Sequence, residues 1–78
     1  MSWRAEVKTR EDWKPMSGPT GPKQSYVPYE FETAHEAAVA VRDAYPDQYR
    51  IDLLSRDMKL VRVVNVGTGE VDAAWRFA

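Results

Sequence analysis

Few side chains in this sequence could do acid–base or nucleophilic chemistry. His35 is the only histidine, and there is no cysteine. General acid–base catalysis needs a proton donor or acceptor of suitable pKa close to a second catalytic group, whereas His35 falls in the first turn of a predicted helix, on its solvent side. None of the serines has a base placed to activate it; they are Ser2, Ser17, Ser25 and Ser55. We therefore predict that the protein is not an enzyme.

Carboxylates and glycines offer no stronger catalytic site. Glu30 and Glu32 are two residues apart on one face of a predicted strand, but ion pairs with basic residues of a neighbouring strand account for them more simply. The stretch from Gly67 to Gly69 is too short to be a phosphate-binding loop. A single histidine without cysteine excludes most zinc sites. We expect no catalytic residue, no cofactor and no metal.

Basic residues interleaved with aromatic rings are better suited to binding. The set comprises Arg4, Lys8 and Arg10 on one side of a predicted first strand, and Lys14, Lys23, Trp13 and Tyr26 in the segment that follows. Such a surface could hold single-stranded nucleic acid by charge and stacking. However, the net charge is −1, and residues 26–48 carry one basic and five acidic residues, unlike a dedicated nucleic-acid binder. Nucleic-acid binding is therefore the second hypothesis.

Alternation of apolar and polar residues predicts five strands. The first covers residues 3–10, and the others cover residues 26–32, 49–53, 58–66 and 70–77. In the third, Tyr49, Ile51 and Leu53 point to one side. Pro28 places the second strand at a sheet edge or in a bulge, and the glycines at 67 and 69 suit a tight turn between the last two.

One helix is predicted from its start signal. Thr33 is followed three residues later by Glu36, the pattern of a capping box in which each side chain binds an otherwise unpaired backbone amide. The helix extends to Tyr45, because Pro46 disfavours helical backbone in the residue before it. Its apolar face is mostly alanine, which allows close packing on a sheet; the residues are Ala34, Ala37, Ala38, Val41, Ala44 and Tyr45.

The predicted order is β-β-α-β-β-β, which defines an α+β fold. We expect a single domain over residues 1–78, with one helix packed on a four- to five-stranded, mostly antiparallel sheet, as in a β-grasp fold or a meander. A Pro/Gly-rich loop covers residues 11–25. No apolar run is long enough to cross a membrane, and the N-terminal residues do not resemble a signal peptide. We therefore expect a cytoplasmic protein with no membrane partner.

The fourth predicted strand is apolar on both faces. Leu60, Val64 and Val66 lie on one face, and Val61 and Val63 lie on the other. A single helix covers only one face of a sheet, and a strand that is apolar on both faces needs cover on both. Either the 11–25 loop or a bulge accounts for the second apolar face, or this face is a contact surface. In the second case the protein binds a partner there or self-associates through Val61 and Val63. A monomer and a homodimer both stay open.

The 11–25 loop gives the strongest indication of a partner. Loops longer than about 12–15 residues without secondary structure are uncommon in compact domains and tend to be functional or disordered. Trp and Met are enriched in protein interfaces, so Trp13 and Met16 could anchor a partner. Alternatively, Trp13 packs into a small core that is short of leucine and isoleucine.

A family resemblance rests on three motifs, "W-x-x-x-V-x-T-R", "Y-x-F-x-T-x-x-E-A" and "V-R-V-V". The residues that carry it are Trp3, Val7, Thr33, Glu36, Ala37, Arg62 and Val63. Over most of its length the chain resembles small uncharacterised phage-encoded proteins and, more distantly, the short inhibitors of host RNA polymerase that podoviruses make. The resemblance implies a non-catalytic protein that binds a host protein in the host cytoplasm.

These observations favour a small non-catalytic binding module, encoded by a phage or mobile element, that binds and modulates a host protein. The predicted partner-binding residues are Trp13, Met16, Tyr26, Arg4, Lys8 and Arg10. One alternative is nucleic-acid binding on the same basic and aromatic surface. The other is a structural subunit that self-associates through Val61 and Val63.

Overall fold

The computed structural model describes residues 2–16 and 30–78. Its strands are β1 (Trp3–Lys8), β2 (Trp13–Pro15), β3 (Glu30–Phe31), β4 (Val61–Asn65) and β5 (Val71–Ala73). Its helices are α1 (Ala34–Ala44) and α2 (Pro46–Ser55), and a 3₁₀ turn over Ala74–Arg76 follows β5. The predicted α+β class is confirmed, with the difference that two helices, rather than one, pack on the sheet.

Strand β1 is the centre of the sheet. The strand order is β2-β1-β4-β5, and β3 also pairs with β1. Because Trp3 pairs with both Phe31 and Asn65, β3 lies on the edge of β1 opposite β4, in line with β2. Every pairing among the described strands is antiparallel, in line with the mostly antiparallel sheet that the order of elements favours.

Helix α1 begins where the sequence places it. The Thr33 Oγ1 accepts the amide of Glu36 at 3.1 Å, and a Glu36 carboxylate oxygen accepts the amide of Thr33 at 3.3 Å, which completes the capping box. The buried side chains of α1 are Ala34, Ala37, Ala38 and Val41. Their small size lets the helix axis approach the sheet closely. Ala44, predicted on the same face, is exposed.

The strand predicted over residues 49–53 is wrong, since these residues belong to α2. Pro46 ends α1 and occupies the first turn of α2, where its fixed φ suits a helix and its missing amide costs nothing. Tyr49 and Asp52 are buried and three residues apart, whereas Ile51 is 53% exposed. The apparent alternation was misleading because the chain buries a carboxylate at Asp52 and exposes an isoleucine.

Asp52 is buried because it completes the backbone hydrogen bonding at the start of β4. Its carboxylate accepts the amides of Leu60 and Val61, each at 2.9 Å. A buried amide without a partner would cost about 1–3 kcal/mol. The carboxylate therefore joins α2 to β4 by hydrogen bonds to the amides of Leu60 and Val61. Helix α2 ends at Ser55, and its C-cap residue Arg56 has a left-handed φ of 57°.

The hydrophobic core lies between the helices and one face of the sheet. Its buried residues are Ala5, Met16, Ala37, Ala38, Val41, Tyr49, Val61, Val63 and Ala74. The predicted self-association through Val61 and Val63 is thus contradicted, because both side chains are fully buried. In β4 these two valines face α1, and Arg62 and Val64 point to the opposite side.

Met16 is likewise unavailable as a partner anchor. It is 3% exposed, and its amide donates to the carbonyl of Ala5 at 2.8 Å. This bond extends the pairing of β2 with β1 by one residue beyond Pro15. The thioether of Met16 fills the core, which the sequence leaves poor in large aliphatic side chains. In the part of the chain that the structure describes, neither helix is long and apolar enough to cross a membrane.

Candidate functional site

The face of the sheet turned away from α1 and α2 carries three of the six predicted binding residues, Arg4, Lys8 and Trp13. Ala5 and Val63 face the helices, so their neighbours in β1 and β4 face the other way. The strand register then places Glu6 beside Arg62, and Lys8 beside Trp13. We call this surface the helix-free face and define its polar and aromatic part as Arg4, Glu6, Lys8, Trp13 and Arg62.

A tight turn holds Trp13 in this position. The amide of Thr9 donates to the carbonyl of Asp12 at 2.9 Å, and the Thr9 hydroxyl donates to the same carbonyl at 2.7 Å. The Asp12 carboxylate accepts the amide of Trp13 at 2.7 Å. These local bonds close the β1–β2 hairpin, so that Trp13 falls opposite Lys8.

Glu6 lies at the centre of the helix-free face between two arginines. Its Oε1 accepts from Arg62 Nε at 2.8 Å and Nη2 at 2.7 Å, and its Oε2 accepts from Arg4 Nη2 at 3.1 Å. The Glu6 side chain is only 7% exposed. Because one carboxylate is shared by two guanidinium groups, this group of three carries a net positive charge.

The Trp13 ring rests against Arg62. The guanidinium carbon of Arg62 is 4.2 Å from the ring centroid, and Lys8 Nζ is 5.9 Å from it. Both distances fall within the range of a cation–π contact. Trp13 is half-buried. Its exposure is therefore intermediate between that of a core side chain and that of a fully exposed anchor, the two possibilities that the sequence left open.

Arg4 is held less tightly than Arg62. Only its Nη2 contacts Glu6, and its Nε is buried without a hydrogen-bond partner among the described residues. Its side chain is 29% exposed. Glu30 lies opposite Arg4 in β3 but forms no ion pair with it in residues 2–16 and 30–78. Arg4 therefore has hydrogen-bond donors to spare.

The structure brings together only part of the predicted set. Arg4, Lys8 and Trp13 share the helix-free face, whereas Arg10 is exposed in the turn after β1 and Met16 is in the core. Tyr26 lies outside the described residues. Two central members of the surface, Glu6 and Arg62, were absent from the prediction.

The single histidine, which was considered as a catalytic group, makes a structural hydrogen bond. His35 Nδ1 lies 2.7 Å from the carbonyl oxygen of Phe77, and because a carbonyl only accepts, the ring donates from Nδ1. This bond joins the first turn of α1 to the end of the chain, beside the contact of Phe77 with Trp3. The described residues contain no group of three or more His, Cys, Asp or Glu side chains placed to hold a metal ion. The absence of enzymatic activity stays a prediction.

One shallow concavity lies elsewhere, near the start of β5. Its volume is about 260 Å³, and its lining consists of Trp3, Glu70, Val71 and Asp72. The Asp72 carboxylate is already engaged by the amide of Ala73 at 2.8 Å and by Arg76 at 3.4 Å. The concavity is only about half enclosed, unlike a small-molecule site that buries most of its ligand.

No protein-family model, curated protein or solved structure matches this chain. The resemblance to phage-encoded proteins therefore stays a prediction.

Proposed function

We propose that this protein is a small non-catalytic binding module that engages a protein partner through the helix-free face. The observation that supports this most is the placement of Arg62, which is held by two hydrogen bonds to Glu6 while its guanidinium lies on Trp13. Trp and Arg are the residues that most often dominate the binding energy of protein interfaces. Here both are fixed before a partner arrives, which lowers the entropic cost of binding.

A protein partner accounts for this surface better than nucleic acid does. One face of the Trp13 ring is occupied by the Arg62 guanidinium, which Glu6 also holds. A nucleic-acid base could stack on that face only by displacing this guanidinium. Besides Arg62, which Glu6 and Trp13 engage, the face offers Arg4 and Lys8 as cations, whereas a nucleic-acid groove follows the backbone with an extended series of positive groups. The basic and aromatic side chains nevertheless make nucleic acid the alternative that an experiment must separate.

The resemblance to phage-encoded proteins suggests where the module acts and on what kind of partner. We propose on this basis that the protein is encoded by a phage or mobile element and works in the cytoplasm of the host. There it modulates a host protein by occupying a surface of that protein. A module of this kind needs no catalytic group, in keeping with the scattered acid–base residues of the sequence.

Photo-crosslinking from defined positions tests the proposed face. Replacement of Lys8 by p-benzoylphenylalanine places the crosslinker on the helix-free face, and the same replacement at Arg50 places it on an exposed position of α2. In the cells that normally carry the gene, we expect a discrete protein adduct from position 8 and none from position 50. Equal labelling from both positions, or labelling of nucleic acid alone from position 8, would contradict the proposal.

A further inference from the structure

We infer that the partner presents an acidic protein segment to the helix-free face and that Arg4 is the residue that receives it. This inference rests on the proposed function, because it specifies the chemistry of the partner at the same surface. It follows from how the two arginines share Glu6, from the charge of the face, and from the exposure of its cations.

The two arginines differ in how many donors they have already used. Arg62 gives both Nε and Nη2 to the Glu6 Oε1 and lies on Trp13, so it is committed to holding the surface together. Arg4 gives a single nitrogen to Oε2. A guanidinium carries five N–H donors in a fixed fork, and a second carboxylate can bind Arg4 while its contact with Glu6 persists.

The charge of the face favours an acidic segment. Lys8, Arg4 and Arg62 are its cations, and Glu6 and Glu30 are its carboxylates. Three cations against two carboxylates leave the face with a net positive charge. Because Glu6 is enclosed by two guanidinium groups, an approaching partner meets Arg4, the 41% exposed Lys8 and the exposed Glu30. Lys8 is 4.0 Å from Asp12, a long and solvent-exposed contact that an incoming carboxylate can replace at little cost.

The buried Nε of Arg4 adds to this argument. A buried donor without a partner costs free energy, so a rotation of Arg4 that brings this N–H towards an acceptor is favoured once an acceptor is present. A carboxylate of the partner supplies one, and a charge-assisted hydrogen bond is stronger than a neutral one. Arg4 thus acts as a binding residue, and Arg62 acts as a positioning residue through Glu6 and Trp13.

The test uses a fluorescein-labelled hexaglutamate peptide, with hexalysine and a thymidine dodecamer as competing probes. Binding is followed by fluorescence anisotropy at low salt and at about 0.15 M salt. We expect hexaglutamate to bind more tightly than either competitor, and to bind less tightly at the higher salt. Tighter binding of the dodecamer, or of hexalysine, would overturn the acidic-segment inference.

Arg4→Gln and Arg50→Ala form a matched pair, since each removes one positive charge. Arg50 is exposed on α2 and has no polar partner among the described residues. We expect Arg4→Gln to weaken hexaglutamate binding by about tenfold and Arg50→Ala to change it less than about twofold. In the arginine side-chain NMR spectrum, the Arg4 Nε–H resonance should move on addition of the peptide. An equal loss in both variants would overturn the assignment to Arg4.

The amide NMR spectrum of each variant shows whether it is folded. Arg4→Lys provides a second variant, which keeps the positive charge but lacks the paired N–H donors of a guanidinium. We expect the affinity of Arg4→Lys for hexaglutamate to lie between those of the wild type and Arg4→Gln. If hexaglutamate fails to bind while position 8 still crosslinks to a protein, the inference fails and the proposed function stands. If position 8 does not crosslink to any protein, the proposed function fails, and this inference fails with it.

Discussion

The guanidinium of Arg62 lies over the ring of Trp13, 4.2 Å from its centroid, although β1 lies between the strands that carry them. Arg62 reaches this position by extending across β1, where Glu6 holds its Nε and Nη2. The contact therefore joins β4 to β2 across β1, on the helix-free face of the sheet. A short β2 of three residues needs such a contact, because its backbone hydrogen bonds alone are few.

Replacing Arg62 should loosen Trp13 as well as destabilise the fold. Arg62→Ala removes the cation–π contact and the stronger partner of Glu6, and we expect the free energy of unfolding to fall by about 2 kcal/mol. Arg62→Lys should recover only part of this, because an ammonium cannot reproduce the paired donors. Urea denaturation measures the stability, and the indole N–H resonance of Trp13 reports the local change.

A matched control is Arg50→Ala, which removes an exposed arginine from α2. Its unfolding free energy should stay within about 0.5 kcal/mol of the wild type, and the Trp13 indole resonance should not move. If Arg62→Ala leaves that resonance unchanged, the stack on Trp13 is absent in solution.

Glu6 should matter more to stability than any exposed carboxylate. Glu6→Gln keeps the size of the side chain but leaves Arg4 and Arg62 as adjacent, partly buried cations without an anion between them. We expect a loss of about 2 kcal/mol, which is below the cost of about 3–5 kcal/mol for breaking a fully buried ion pair, because both arginines keep some contact with water. Glu11→Gln, which removes an exposed partner of Lys14 at 3.5 Å, should cost less than about 0.5 kcal/mol. Equal losses in the two variants, measured by urea denaturation, would contradict a central role for Glu6.

Local signals in the sequence were sufficient for α1 and β1. The capping box fixes the start of α1 through residues only three positions apart, and the alternation of β1 places Arg4 and Lys8 on one side without reference to the rest of the fold. The same alternation contains Glu6. Its role was missed because its partner Arg62 lies on β4, and only the pairing register brings the two together.

The error in α2 has a physical cause. Asp52 is buried for a tertiary reason, since its carboxylate lies under the start of β4 and accepts the amide of Leu60 there. Apolar periodicity assumes that polar residues face water, so it gave a strand in place of α2. For β4 it left open which valines face the helices, and packing against α1 decides this in favour of Val61 and Val63.

Asp52 should protect two backbone amides at the start of β4. Asp52→Ala leaves the amides of Leu60 and Val61 without an acceptor, and we expect the free energy of unfolding to fall by about 3 kcal/mol. Asp52→Asn keeps one acceptor oxygen and should cost less. Hydrogen exchange provides the specific measurement, because the Leu60 and Val61 amides should exchange faster in Asp52→Asn than in the wild type.

Asp57→Asn serves as the control for Asp52, since Asp57 is an exposed carboxylate nearby in the chain that accepts the amide of Met58 and lies 3.9 Å from Lys59 Nζ. It should leave exchange at Leu60 and Val61 unchanged. Unaltered protection of these two amides in Asp52→Asn would mean that the buried carboxylate does not hold β4.

Val63 should behave as a core residue and not as a contact between copies of the chain. It is fully buried, opposite Ala5 in the register, and Val63→Ala removes two methyl groups from beneath α1. We expect a loss of about 2 kcal/mol in the free energy of unfolding, whereas Val66→Ala, at a position 39% exposed, should cost less than about 0.5 kcal/mol. Sedimentation equilibrium over a range of concentrations should give the same mass for folded Val63→Ala and wild type. A core valine can change the oligomeric state only by destabilising the fold. A drop from dimer to monomer in Val63→Ala without a loss of stability would therefore restore the self-association hypothesis.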